Sequence, residues 1–455
     1  MKNGGWFLIV SPVVVLMPAV HGFAGAGTGD SDGNGITDLH DYGSFYGCFA
    51  DPLEGPLDPT CKPFDFDSDQ DVDLIDFGMF QNAFGAPPCE LRWDDRFDAD
   101  GMNSVVHALT TFGTGDETAL FAAGEFGMAG DVAASRIARW DGVDWSPLGV
   151  GLGNQARAAI HHVNESGPGL YVGGNFNMAG GMSANIAKWD GTGWSAAATG
   201  VNSFVYSFGE FDEGGRTRLF AGGSFTQIGG VQANSIARWD GVQWSALGDG
   251  IRLDSVLPPR VRAMTVYDDG TGPTLVVGGE FSMAGGVAAA NLAAWNGISW
   301  SPLGGGTTNM VRALCVFDDG TGPALYVGGS FSRAGNVLVQ GIARWDGASW
   351  TALADGVAGG VFALIVFDDG TGPALYAGGY FIIGTPQGLI DHIAKWDGKA
   401  WSPLGSGMNN SVNAMAVFED KAGRSLYAGG EFSRAGGLSS RRIAQWHRPK
   451  QPCPE

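Results

Sequence analysis

The sequence predicts a mainly-β protein: a seven-bladed β-propeller of four-stranded blades, in which an N-terminal strand closes the last blade, preceded by a small acidic α-helical module. Three observations predict it. The tryptophan of an IARWDG-like phrase returns as Trp140, Trp189, Trp239, Trp295, Trp345, Trp396 and Trp446, at steps of 49, 50, 56, 50, 51 and 50 residues. A double glycine upstream keeps pace as Gly173-Gly174, Gly222-Gly223, Gly278-Gly279, Gly328-Gly329, Gly378-Gly379 and Gly429-Gly430, the first copy reading Ala123-Gly124. Asp-Gly pairs between short apolar runs, such as Asp346-Gly347, mark tight hairpins.

The copy around Ala324–Gly356 shows the unit. Val311–Phe317 reads as a first strand, Asp318–Pro323 as a turn and Leu325–Gly329 as a second strand. A glycine-containing loop, Ser332–Gln340, leads to a third strand, Ile342–Trp345, and Asp346-Gly347 turns the chain into a fourth, Trp350–Leu353. Seven copies carry the first three strands. Six carry the fourth, marked by Trp145, Trp194, Trp244, Trp300, Trp350 and Trp401. The missing strand stands at the front, as Leu91–Phe97, so it is expected to complete the seventh blade of a ring spanning 90–450.

The chain begins with Lys2, an apolar run from Trp6 to Val20 broken by Pro12 and Pro18, and a small-x-small site at Ala24–Ala26. Residues 1–26 read as a secretory signal peptide, and no second apolar run follows. The mature protein is expected outside the cytoplasm, secreted or associated with a cell surface, with no transmembrane segment once the signal is removed.

Residues 27–89 hold thirteen Asp or Glu against Lys62 alone. Asp30, Asp32, Asn34, Ile36, Asp38 and Asp41 occupy positions 1, 3, 5, 7, 9 and 12 of a loop, and Asp65, Asp67, Asp69, Asp71, Asp73 and Asp76 repeat the spacing. Hard oxygens at alternate positions wrap Ca²⁺, and position 12 closes the cage, so two ions are expected. After each loop come apolar residues at helical spacing: Tyr42, Phe45 and Phe49, then Phe77, Phe80 and Phe84. Before each loop the sequence leaves no room for a helix. Such a pair of loop–helix units resembles a dockerin, over about Gly29–Gly85. The resemblance implies a cohesin-like partner on a scaffold or cell surface. Gln70 stands where the sharp turn of the second loop prefers glycine, which weakens that site.

The double glycine followed by an aromatic and a later tryptophan resembles kelch-type repeats. The longer phrase YVGGxFxxAGG…IAxWDGxxWxxLGxG is similar to propellers of fungal cortical polarity markers and of bacterial secreted proteins, over 91–448. The resemblance implies architecture rather than activity, since propellers host many functions.

A net charge of −21 disfavours nucleic acid and anionic membrane as partners. Of the five cysteines, ring closure suggests Cys89–Cys453 as a clasp, Cys48–Cys61 then ties the two loop–helix units, and Cys315 is a buried free thiol. No catalytic constellation stands out. His161 and His162 alternate on a strand and face opposite sides. The acidic pairs Asp268-Asp269, Asp318-Asp319 and Asp368-Asp369 follow the turn glycines and read as hairpin chemistry. Arg139, Lys188, Arg238, Arg344 and Lys395 follow the repeat too, and are expected to pack on the tryptophans or pair with nearby Asp rather than form an anion-binding ring. Departures from the repeat, Ile251–Arg260 and Ile382–His392, are the better candidates for a partner site. The expected function is that of a binding or scaffold protein with a protein or glycan partner. The alternative is a secreted polysaccharide-active hydrolase or lyase, which needs two carboxylates facing each other across the ring.

Overall fold

Alternating residues in Val311–Asp318 face the neighbouring sheet, while Pro323–Gly329 is apolar throughout and is buried from Ala324 onward. That difference makes the first strand of each repeat an inner wall and the second a core strand, covered on both faces by other sheets. The computed structural model describes residues 91–114, 117–385, 388–420 and 423–447. The expected signal peptide, both expected calcium loops with all twelve candidate ligands, and Cys48, Cys61, Cys89 and Cys453 lie outside the described residues. Chain contacts divide Leu91–Pro449 from the rest.

The described chain is mainly β and propeller-like: seven antiparallel four-stranded sheets follow one another along the sequence. Their first strands are Val106–Thr114, Ala156–Asn164, Val205–Asp212, Arg260–Asp268, Val311–Asp318, Ala358–Asp368 and Val412–Asp420. Each touches the first strands of the sheets before and after it, and the series closes where the seventh meets the first. Among the described residues the one helix is a single 3₁₀ turn, and no helix is long and apolar enough to cross a membrane.

The closing strand is shorter than the Leu91–Phe97 expected. Only Arg92 and Trp93 pair, with His447 and Trp446. Asp94 then accepts the Arg96 N–H at 2.7 Å, and this side-chain-to-backbone bond turns the chain into the 3₁₀ segment Arg96–Asp98. The expected loop Ser332–Gln340 contains a two-residue hairpin, Arg333–Ala334 with Val337–Leu338, and five other sheets carry its equivalent. In the sixth sheet the hairpin is replaced by continuous long strands, Pro373–Thr385 and Gly388–Trp396.

Tryptophans link each sheet to the next. The two tryptophans of every sheet pack as a tilted pair, as Trp345 and Trp350 do at 5.0 Å. The fourth-strand indole donates to a carbonyl at the end of the preceding sheet: Trp194 to Leu148, Trp350 to Gly304, and Trp93 to Leu404 at 2.9 Å. The double glycine has two separate causes. A Cβ on Gly328 would meet Val361 of the next sheet, and one on Gly329 would run into the Met310 carbonyl opposite it.

Candidate binding site at the mouth of the sheet series

Every first strand carries a one-residue register shift toward its N-terminal end, between Val311 and Ala313 in the fifth sheet and at the matching place of the repeat in the other six. A bulge leaves one side chain outside the ladder and re-aims it. The seven re-aimed residues are His107, Arg157, Tyr206, Arg262, Arg312, Phe362 and Asn413. Their flanks are nearly constant, Val or Ala before and Ala or Ser after, while the residue itself changes from sheet to sheet. Because the first strands contact each other in a closed series, these positions stand together at one mouth of it.

The mouth divides into two electrostatic halves. On one side Glu125 accepts His107 at 2.9 Å and Arg157 at 3.2 Å. Burial lowers the His107 pKa despite Glu125, while the His107 hydrogen bond holds the Glu125 carboxyl below its usual range. On the other side Arg262 lies over the Tyr206 ring at 4.6 Å and Arg312 over the Phe362 ring at 4.3 Å. Tyr206 itself stacks on Phe204, with planes 6° apart. The Nε atoms of Arg262 and Arg312 are buried with no hydrogen-bond partner among the described residues. Burial, and then the neighbouring positive charge of Arg312, bring Arg262 down to about 10, so it stays charged at neutral pH. The nearby carboxylate, Glu280, is bonded to Arg260 at 2.7 Å.

Near Phe362 opens a pocket of about 370 Å³, whose polar lining is Thr308, Asn309, Ser330, Ser332 and Gln340. Gly360 joins it to the mouth: a Cβ there would lie 2.8 Å from Ser330 Oγ and 2.7 Å from the Phe362 ring. Both expected departures from the repeat rise at this same end. In one, Ile251–Arg252 pairs with Met283–Ala284, and Val256 and Leu257 stand exposed before Arg260. In the other, Tyr380 pairs with Gly360 and stacks on His392 at 5.1 Å, while Ile382 and Leu389 face solvent.

Four of the five basic residues that follow the repeat on the third strands are tied into their own sheets. Arg238 meets Glu213 at 2.5 Å, Lys395 meets Asp369 at 2.6 Å, Arg344 lies 3.5 Å from Asp319, and Lys188 donates to Ser166 Oγ at 2.8 Å. Each partner sits in the turn between the first two strands. The acidic pairs build those turns: Asp318 accepts the N–H groups of Gly320 and Gly322. His161 packs on Phe112 of the sheet before, and His162 bonds Glu210 of the sheet after at 2.6 Å. Cys315 is a free thiol packed beside Leu364 and Val366. Among the described residues no three His, Cys, Asp or Glu side chains gather as a metal site. Reading the sequence passed over the arginines at the bulges. The available signal was a position that varies inside a constant frame.

No family model matches the chain, and no curated protein does. Among solved structures it is similar to the extracellular domain of a putative hybrid two-component system from B. thetaiotaomicron, with a TM-score of 0.47 and 11% identity over 78% of this chain. The chain spans 40% of that structure's length. It is also similar to BBS1N, solved in complex with ARL6DN, with a TM-score of 0.46 and 13% identity, covering 79% of this chain and 98% of that one. Neither likeness carries an argument about activity.

Proposed function

We propose that the chain is an exported, calcium-binding scaffold or binding protein: a seven-bladed β-propeller that holds a partner at the mouth described above. Its acidic segment, 27–89, is a dockerin-like module that takes two Ca²⁺ ions and attaches the propeller to a surface or complex. The observation that carries the reading is the pattern at the bulges. Seven positions share one frame, yet their occupants differ and include two arginines, Arg262 and Arg312, that make no ion pair among the described residues. A position kept for packing would repeat with the rest of the unit. One that varies inside a fixed frame is free to be shaped by a ligand.

The test is retention of envelope or extracellular-matrix material by the immobilised full chain, in Ca²⁺ and in chelator, beside calorimetric Ca²⁺ titration. Two ions bound and a partner released by chelator are expected. Two further arms carry the paired substitutions Asp32→Asn with Asp67→Asn, and Arg262→Gln with Arg312→Gln. Loss in the first assigns attachment to the module, and loss in the second assigns binding to the mouth. Undiminished retention by both overturns the reading.

A further inference from the structure

We propose that the mouth binds a uronic-acid polysaccharide, with Arg262 and Arg312 taking sugar carboxylates and the neutral pocket beside Phe362 taking hydroxyls of the adjoining sugar. The inference rests on the mouth being the binding face and names the chemistry of what it binds.

Positive charge is more frequent here than the balance of the chain implies. The protein carries −21 overall, yet Arg136, Arg157, Arg260, Arg262, Arg312 and Arg442 stand at this end, beside Glu125, Glu280 and Glu431 and, on the two departures, Asp254 and Asp391. Most of these arginines are engaged. Arg136 donates to the Glu125 and Phe126 carbonyls, and Arg442 to those of Glu431 and Phe432, each closing its own loop. Arg157 holds Glu125 and Arg260 holds Glu280. Arg262 and Arg312 make no ion pair among the described residues and are stacked on aromatic rings, and the positive charge of Arg312 bears on Arg262. A guanidinium held over an aromatic face keeps its N–H edge for a planar oxyanion, and an oxyanion between the two relieves their repulsion.

The neighbouring pocket favours a sugar acid over an acidic peptide. It offers hydroxyls and amides from Thr308, Asn309, Ser330, Ser332 and Gln340 and no charged side chain, and its 370 Å³ suits a small polar ligand. An Asp or Glu side chain offers that pocket a carboxylate and no hydroxyl. A uronate ring carries hydroxyls as well as its carboxylate, so one ring can turn hydroxyls toward the neutral pocket while carboxylates meet the arginines and a sugar face meets the aromatic ring.

The experiment is calorimetry on the full chain with a galacturonate trimer, a neutral galactose trimer and a glutamate tripeptide as probes. The uronate is expected to bind and the neutral sugar to bind weakly or not at all. Arg262→Gln and Arg312→Gln should each weaken uronate binding by about tenfold or more, the scale of a lost charge-assisted hydrogen bond. Arg312→Lys, which keeps the charge and loses the fork, should recover only part of it, and Lys399→Gln on an exposed turn should change nothing. If Arg312→Gln melts early, Arg312→Lys carries the comparison. Tighter binding of the glutamate tripeptide overturns the sugar class while leaving the mouth as the binding face. Absence of uronate binding overturns the inference, and retention of envelope material then judges the broader reading separately. Anion binding indifferent to both arginines overturns the inference and the mouth together.

Discussion

A Cβ on Gly328 would stand 2.6 Å from Cγ1 of Val361 in the next sheet. The same close approach joins Gly278 to Val311, Gly378 to Val412 and, across the closure, Gly429 to Val106. The first sheet evens the sizes: Ala123 replaces the glycine, and Ala156, in the same buried cluster, replaces the valine. Side-chain volume at this contact is thus traded between the facing strands. Gly328→Ala should cost about 1–3 kcal/mol as overpacking. The double variant with Val361→Ala should regain a substantial part of that, because the two changes couple through one contact. Urea denaturation of the four-member cycle measures it. Strict additivity of the two losses would show that the sheets adjust independently.

Trp93 tests the closure. Its indole N–H bonds Leu404, 311 positions along the chain, and its ring packs 5.1 Å from Trp446. Trp93→Ala should destabilise by about 3–5 kcal/mol, as for other large buried aromatics. Trp93→Phe, which keeps most of the ring contact and loses the donor, should cost about 1 kcal/mol. Thermal or urea unfolding distinguishes the two. Equal losses would mean that the hydrogen bond, not the packing, holds the closing strand.

The repeat made the sheet architecture legible, because Trp, Gly-Gly and Asp-Gly do the same structural work in each copy. Trp345 pairs with Trp350, Gly328 admits Val361, and Asp346-Gly347 turns the chain. The closing strand was legible in place but not in length, since the Asp94 side chain competes with the ladder for the backbone. The mouth was not legible. Whether Arg312 points into a neighbour or out of the ladder depends on a one-residue register shift, which composition and periodicity do not carry. The third-strand Arg344 and Lys395 look identical in sequence terms, yet they are bound within their sheets.

Cys315 gives a chemical readout of packing. Burial pushes its thiol up to about 12, so almost no thiolate exists at pH 8. The native protein should leave the Cys315 peptide unlabelled by iodoacetamide at that pH, and labelling should rise with the denaturant transition. Peptide mapping after timed alkylation follows this residue apart from the other four cysteines. Rapid native labelling would show that the first strand of the fifth sheet opens locally.

Acid should loosen the closure through Asp94. Burial on its own raises the pKa of this carboxyl. His447, with Nε2 at 3.2 Å, and the backbone N–H and guanidinium of Arg96 outweigh that and hold it well below its usual range. A carboxyl lowered on folding adds stability that is fully present above its unfolded pKa, about 3.9, and is lost as pH falls through that value toward the folded one. The urea midpoint of the wild-type protein should therefore drop between about pH 5 and pH 3. Asp94→Asn should start from a lower midpoint at neutral pH and show a shallower fall across the same window. Parallel profiles for the two proteins would place the acid sensitivity elsewhere, and the pairing of Arg92–Trp93 with Trp446–His447 would then stand on its tryptophans alone.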